Sequence, residues 1–160
     1  MASPNRSGPV KAGVAGLVLA LASTVAIYYE GMVPQTYADP IGIPTICYGH
    51  TGPDVVPGRV ATEEECKELL REDLAEAYAS VKRCITSPMT PHQAAALTSA
   101  TFNAGPKLVC GSTLQRLANQ GRWPEACEQL HRWVWAGGRK LRGLVRRRES
   151  EYQLCMGNAA

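Results

Sequence analysis

The chain has 160 residues, a formal net charge of +3 and 45% hydrophobic residues. That is one domain with a real core: too short for a second full domain, too apolar for a disordered chain, and too weakly basic to imply nucleic acid as a partner. No collagen period, heptad array or longer repeat runs through it.

The first predicted element is an uncharged run of 18 residues, 12–29, preceded by Arg6 and Lys11 and followed at once by Glu30. As a helix it would span about 27 Å, near the lower limit for a bilayer core. The basic residues before it would keep that end in the cytoplasm and send the rest of the chain across. Its composition is weak for a permanent anchor: five alanines, two glycines, Ser23 and Thr24, with only seven strong hydrophobes. A cleaved signal peptide stays open, because Ala20-Leu21-Ala22 is an A-x-A pattern, and so does a buried core helix. A segment that inserts marginally and later leaves the membrane fits the composition best. This divides the chain into a membrane segment, residues 1–29, and a body, residues 30–160.

Residues 31–60 are rich in Gly, Pro and β-branched residues, which predicts a small hairpin sheet with turns at Asp39-Pro40 and Thr51-Gly52-Pro53. Thr62-Glu63-Glu64-Glu65 then reads as a capping box, and Cys66, Leu70, Leu74, Ala77 and Val81 follow at helical spacing, predicting one long helix to about Lys82. Thr90-Pro91-His92-Gln93 repeats the start signal, and Gly105-Pro106 stops that helix. Further helices are expected over 112–119, 124–133 and 144–154, with Gly121 and Gly137-Gly138 as breaks. The fold class is α+β: a small β-hairpin lobe, a long connecting helix, a larger helical lobe and an N-terminal apolar helix.

Six cysteines stand at 47, 66, 84, 110, 127 and 155, never closer than 17 residues, with only three scattered histidines. A zinc site needs close ligand pairs, so no metal is expected. An even, widely spaced set reads as three disulfides in an oxidising compartment, against the alternative of six buried thiols. Six cysteines allow 15 pairings. Joining neighbours along the chain gives Cys47–Cys66, Cys84–Cys110 and Cys127–Cys155.

Glu30, Asp39 and Thr45 are the candidates for chemistry. A carboxyl beside Tyr28 and Tyr29 in poorly hydrated surroundings would hold its proton, as a general acid at a glycosidic oxygen must. Asp39, in a polar turn, would stay ionised and activate water, and the Thr45 hydroxyl could hold that water. The spacing alone leaves the plain alternative open, a helix-end glutamate and an Asp-Pro turn.

Read inside EGMVPQTYADPIGIPTICYGHT, these three residues resemble the Glu–Asp–Thr signature of the phage-type lysozymes, glycoside hydrolase family 24. The resemblance continues through ALTSATFNAGP (96–106), TLQRLANQGRWPEAC (113–127) and RWVWAGGRKLRGLVRRRESE (132–151), and the N-terminal segment is similar to that of the signal-arrest-release endolysins. It implies a lysozyme-like fold and a muramidase that cleaves the β-1,4 bond between N-acetylmuramic acid and N-acetylglucosamine of peptidoglycan, for host lysis. Glu30 would be the proton donor, Asp39 the carboxylate partner and Thr45 the water-positioning hydroxyl, with Phe102 and Thr113 lining the sugar cleft and no cofactor. The expected partners are peptidoglycan and, through residues 12–29, the host inner membrane. The protein is expected to act as a monomer, tethered facing the periplasm and inactive, then released into it. No cysteine lies within residues 1–30, which leaves repositioning of the segment, not thiol exchange from it, as the control. The rival is a non-catalytic, membrane-tethered, disulfide-rich module that binds cell-wall glycan. Trp123, Trp133 and Trp135 are expected in the helical core. The basic set Arg132, Arg139, Lys140, Arg142, Arg146, Arg147 and Arg148 is expected mostly on a solvated face, where it could attract the acidic peptide stems.

Overall fold

The structure, a computed structural model, describes residues 7–158; Arg6 and the Lys11 side chain fall outside what it describes. The apolar run lies within a single helix, α1 (Ser7–Glu30). Val18, Ala22, Val25 and Ala26 make a buried stripe at helical spacing, and α1 packs against three helices of the body, α2 (Glu63–Cys84), α3 (Pro91–Ala104) and α6 (Arg142–Cys155). Leu17, Ile27 and Tyr28, off that stripe, are exposed, as is Val14 one turn before Val18. A segment apolar on every side thus uses one side for the core. The 29/30 boundary falls inside one continuous helix, which ends at Glu30.

Helix α3 is the centre of the core. Its residues 94–101 are all buried, and five of those eight are alanine or serine, which lets neighbouring helices approach closely. Both predicted capping boxes form. The Thr62 amide donates to Glu65 Oε2 at 2.6 Å while the Glu65 amide donates to Thr62 Oγ1 at 3.2 Å, and Thr90 and Gln93 do the same at 2.9 and 3.1 Å. Such caps contribute about 1 kcal/mol each. Helix α2 runs two residues past the predicted end, to Cys84, and Gly105 terminates α3.

The β lobe is a three-stranded antiparallel sheet of β1 (Val33–Ala38), β2 (Pro44–Cys47) and β3 (His50–Thr51), in that order. Asp39 turns the first hairpin: its Oδ1 accepts from the amides of Ile41 at 2.9 Å and Ile43 at 2.8 Å, an Asx turn. The expected helix over 124–133 is two elements, α5 (Trp123–Glu128) and a 3-10 turn, Gln129–Arg132; α4 spans Thr113–Asn119, with Ser112 as its cap. Gly137-Gly138 is the tip of a second hairpin, β4 (Trp135–Ala136) and β5 (Arg139–Lys140), with φ of 57° and 75° at the two glycines. Two successive positive φ values suit a tight hairpin turn that glycine adopts without strain.

Three disulfides join Cys47–Cys66, Cys84–Cys110 and Cys127–Cys155. They tie β2 to the start of α2, the end of α2 to the loop before α4, and α5 to the end of α6. Trp123 and Trp133 pack half-buried on the core, but Trp135 is 63% exposed on the hairpin, which corrects its expected place.

Candidate active site

Glu30 is the last residue of α1, and Gly31, at φ +66°, ends the helix as a left-handed cap. A carboxylate there faces the helix's own carbonyl end, which is unfavourable. Arg147, from α6, offsets it: its Nη1 donates to Glu30 Oε1 at 2.5 Å. The apolar surroundings expected for Glu30 are therefore corrected, since a buried guanidinium is its closest charged neighbour and Tyr28 is 80% exposed. The other oxygen, Oε2, faces the β2–β3 turn. A Cβ built on Gly49 would sit 3.3 Å from it, and Gly49 has φ +78°, so the turn's backbone can lie close to the acid only as glycine.

Arg147 is held in turn. Its Nε donates to Glu151 Oε1 at 3.1 Å and its Nη2 to the Ser99 carbonyl at 3.3 Å. Glu151, fully buried, also accepts from Ser99 Oγ at 2.8 Å and from Arg148 Nη1 at 2.6 Å, and Arg148 reaches the Trp133 carbonyl at 2.9 Å and Asn103. Arg147 and Arg148 are therefore not on a solvated face, whereas the other five basic residues of that set are exposed. The signal for this lay in the sequence: Glu151 follows Arg147 by four residues and Arg148 by three, one helical face.

Asp39 and Thr45 lie on the sheet that carries Gly49. Thr45 is buried on β2, opposite Tyr37 of β1 and Thr51 of β3. Its hydroxyl donates to the Ile43 carbonyl at 2.9 Å, which leaves the oxygen to act as an acceptor. Asp39 spends Oδ1 on the turn, and Oδ2 makes no hydrogen bond among the described residues. The sheet is fastened to α2 by His50, whose Nδ1 lies 2.8 Å from Asp73 and whose Nε2 lies 3.1 Å from Asp54. Burial disfavours the charged imidazole, but the bonds to Asp73 and Asp54 outweigh it and raise the pKa of His50. Arg59 closes this network on Asp54 at 2.8 Å.

Two cavities include residues of the C-terminal end of α3, and a third lies beyond it in the helical lobe. One, about 400 Å³, is lined by Gly49, Thr51, Asp73, Glu76 and Phe102, and so lies between the sheet, α2 and α3. A second, about 580 Å³, contains Glu30 and Arg147 with Tyr28, Asn103, Leu141 and Arg146. The third, about 680 Å³, holds Thr113 with Lys107, Gln129, Arg132 and Trp133. Phe102 and Thr113 thus line different cavities, and Phe102 packs half against the core. Among the described residues no group of three His, Cys, Asp or Glu side chains could hold a metal ion.

Residues 28–151, from the end of α1 into α6, match the family model described as phage lysozyme. The chain belongs to the phage lysozyme family. This lysozyme is 38% identical over 160 aligned positions to a SAR-endolysin of Bacteriophage PS119, with 96% of each chain covered. Among solved structures it resembles the muramidase domain of SpmX from Asticaccaulis excentricus (TM-score 0.78, 32% identity, 84% of this chain and 94% of that one). It also resembles the active form of the P1 phage endolysin Lyz (TM-score 0.79, 25% identity, 91% and 93% covered). The lysozyme-like fold is the one expected from the sequence.

Proposed function

We propose that this lysozyme is a phage endolysin of glycoside hydrolase family 24, a muramidase that cleaves the β-1,4 bond between N-acetylmuramic acid and N-acetylglucosamine of host peptidoglycan. The observation that carries the reading is the placing of Glu30, with one oxygen fixed by Arg147 and the other turned to the sheet that bears Asp39 and Thr45. Glu30 Oε2 is the oxygen free to deliver a proton to the glycosidic oxygen. A water held on the Thr45 oxygen would donate one hydrogen there and give the other to Asp39, directing a lone pair at the anomeric carbon from the opposite face. Such an arrangement inverts the anomeric configuration. Phe102 offers its ring as a wall of the cleft beside Thr51, and Thr113 a hydroxyl in the third cavity.

The enzyme begins tethered in the host inner membrane through residues 12–29, facing the periplasm, and is released there as a monomer. Residues 13–30 are long and apolar enough to cross a bilayer, yet α1 also packs on the body with four buried residues, which supports two homes for one segment. While the segment is inserted, Glu30 lies at the lipid interface, away from Asp39 and Thr45, and catalysis fails by geometry. Purified peptidoglycan incubated with the full chain tests the reading. New reducing ends are expected; glycan binding without them would favour the non-catalytic module.

A further inference from the structure

Glu30 stands between two cavities of different make-up. The one containing Gly49, Thr51 and Phe102 is walled partly by the sheet; the one containing Tyr28, Asn103 and Arg146 has no residue of the sheet in its lining. In an inverting hydrolysis the attacking water and the leaving oxygen lie on opposite faces of the anomeric carbon. The water side belongs to Asp39 and Thr45, so the anomeric carbon lies between that side and the departing oxygen. The sugar that leaves must extend past Glu30 on the side away from the sheet. That side is the cavity of about 580 Å³, a volume in the usual range for ligand sites.

We propose that this cavity is the leaving-group subsite, with Tyr28 as the platform for the departing hexosamine and Arg146 as the anchor for a carboxylate of the peptide stem beyond it. The inference rests on the muramidase reading. Tyr28 is 80% exposed and meets the Tyr29 ring edge-on, centroids 4.9 Å apart, while Tyr29 is held by its hydroxyl, which is bonded to Ser150 at 2.6 Å and donates to the Arg146 carbonyl at 3.1 Å. An exposed aromatic face at a cavity rim suits the C–H face of a sugar. The Arg146 guanidinium has no ion-pair partner among the described residues, unlike Arg147 and Arg148 beside it. Peptidoglycan supplies the matching group, since muramic acid alternates with glucosamine and carries an acidic stem. Both side chains belong to α1 or the α6 turn facing it, so docking of α1 completes the acid and this subsite together.

The test measures kcat and KM of the purified full chain in solution on glycan strands that bear stem peptides and on strands stripped of them by an amidase. Tyr28→Ala is expected to raise KM about three- to tenfold on both strands, with a much smaller change in kcat, and Tyr28→Phe to recover most of that loss. Arg146→Gln is expected to raise KM about threefold more on stem-bearing strands than on stripped ones. Melting curves establish that each variant is folded. Parent-like KM for Tyr28→Ala and Arg146→Gln on both strands overturns the proposal, as does equal impairment of Tyr28→Phe and Tyr28→Ala. A tyrosine that serves only the inserted segment would give the parent-like result. Full hydrolysis by Glu30→Gln, in contrast, would overturn the muramidase reading itself.

Discussion

Arg147 and Glu30 are 117 residues apart in sequence and 2.5 Å apart in the fold. The contact joins the last residue of α1 to the middle of α6 and fixes one oxygen of the candidate acid while leaving the other turned toward the sheet. Arg147 is itself 2% exposed, and Glu151 beneath it is shared with Arg148, so the acid rests on a charge-balanced group of two arginines and two glutamates.

Glu151→Gln breaks that balance. Two buried guanidiniums would then share only the charge of Glu30, and loss of one partner of a buried ion pair costs about 3–5 kcal/mol. Thermal unfolding should show a Tm lower by roughly 10 °C in a domain of this size. A shift of a degree or two would mean that the group contributes little.

The His50 network makes stability depend on pH with a definite sign. Its pKa is raised in the folded state, so its contribution is fully present below the unfolded value of about 6.5 and is lost as pH rises through the folded one. Burial raises the pKa of Asp73, so the pair also weakens on the acid side as that carboxylate takes its proton. Replacing His50 by Gln should therefore cost more at pH 6 than at pH 9, with about 1–2 kcal/mol lost at the maximum. Denaturant melts of both proteins across that range would show it, and a constant difference would contradict it.

The three disulfides should all be present in the exported protein. Alkylation without reductant followed by mass measurement should label no thiol. Opening Cys127–Cys155 with serines is expected to cost about 2–4 kcal/mol, because 28 residues of the unfolded chain are no longer closed into a loop. Labelling of several thiols in the parent would remove the bridges from the account.

Control by the N-terminal segment is open to a clean substitution. A Cβ at Gly13 or Gly16 would meet no atom within 4 Å, Thr24 is exposed and Ser23 borders a groove beside Leu70, so these four positions are the places on the docked helix to put leucine. The same change makes the segment more apolar and favours insertion. The variant should accumulate in the membrane fraction and delay lysis. Lysis on schedule while the protein remains inserted would refute release.

Much of this was legible because it is written locally. Thr62–Glu65 and Thr90–Gln93 carry complete start signals within four residues, and the disulfides join cysteines adjacent along the chain. The second hairpin escaped because two-residue strands show no period, although Gly137-Gly138 between Ala136 and Arg139 was the available signal. Tyr28 and Tyr29 misled in another way. Adjacent on a helix, their rings touch edge-on, and only the partners of α1 decide that Tyr29 packs on the core and Tyr28 does not. The pairing of Arg147 and Arg148 with Glu151 is written locally, but the partners that bring them inside, Glu30 and Ser99 for Arg147 and Asn103 and Trp133 for Arg148, are distant in sequence.

The pairing of the acid with the sheet is tested by Asp39→Asn and Thr45→Ala. Both should lower turnover on peptidoglycan by at least about a hundredfold if they direct the water, and the parent's first product should carry the inverted anomeric configuration. A retained configuration, read by proton spectroscopy early in the reaction, would require a different role for Asp39.

The most direct measurement is the rate at which Glu30→Gln releases reducing ends from purified peptidoglycan, taken with its melting curve. Glutamine keeps the side chain's volume and a group that can face Arg147, but it cannot deliver a proton. The account predicts a fall on the order of a thousandfold in rate, with unfolding much closer to the parent's than that of Glu151→Gln, because the Glu30 side chain is 23% exposed and Arg147 keeps Glu151. A folded Glu30→Gln protein that hydrolyses peptidoglycan within about tenfold of the parent, a smaller loss than the hundredfold or more that a general acid contributes, would contradict it.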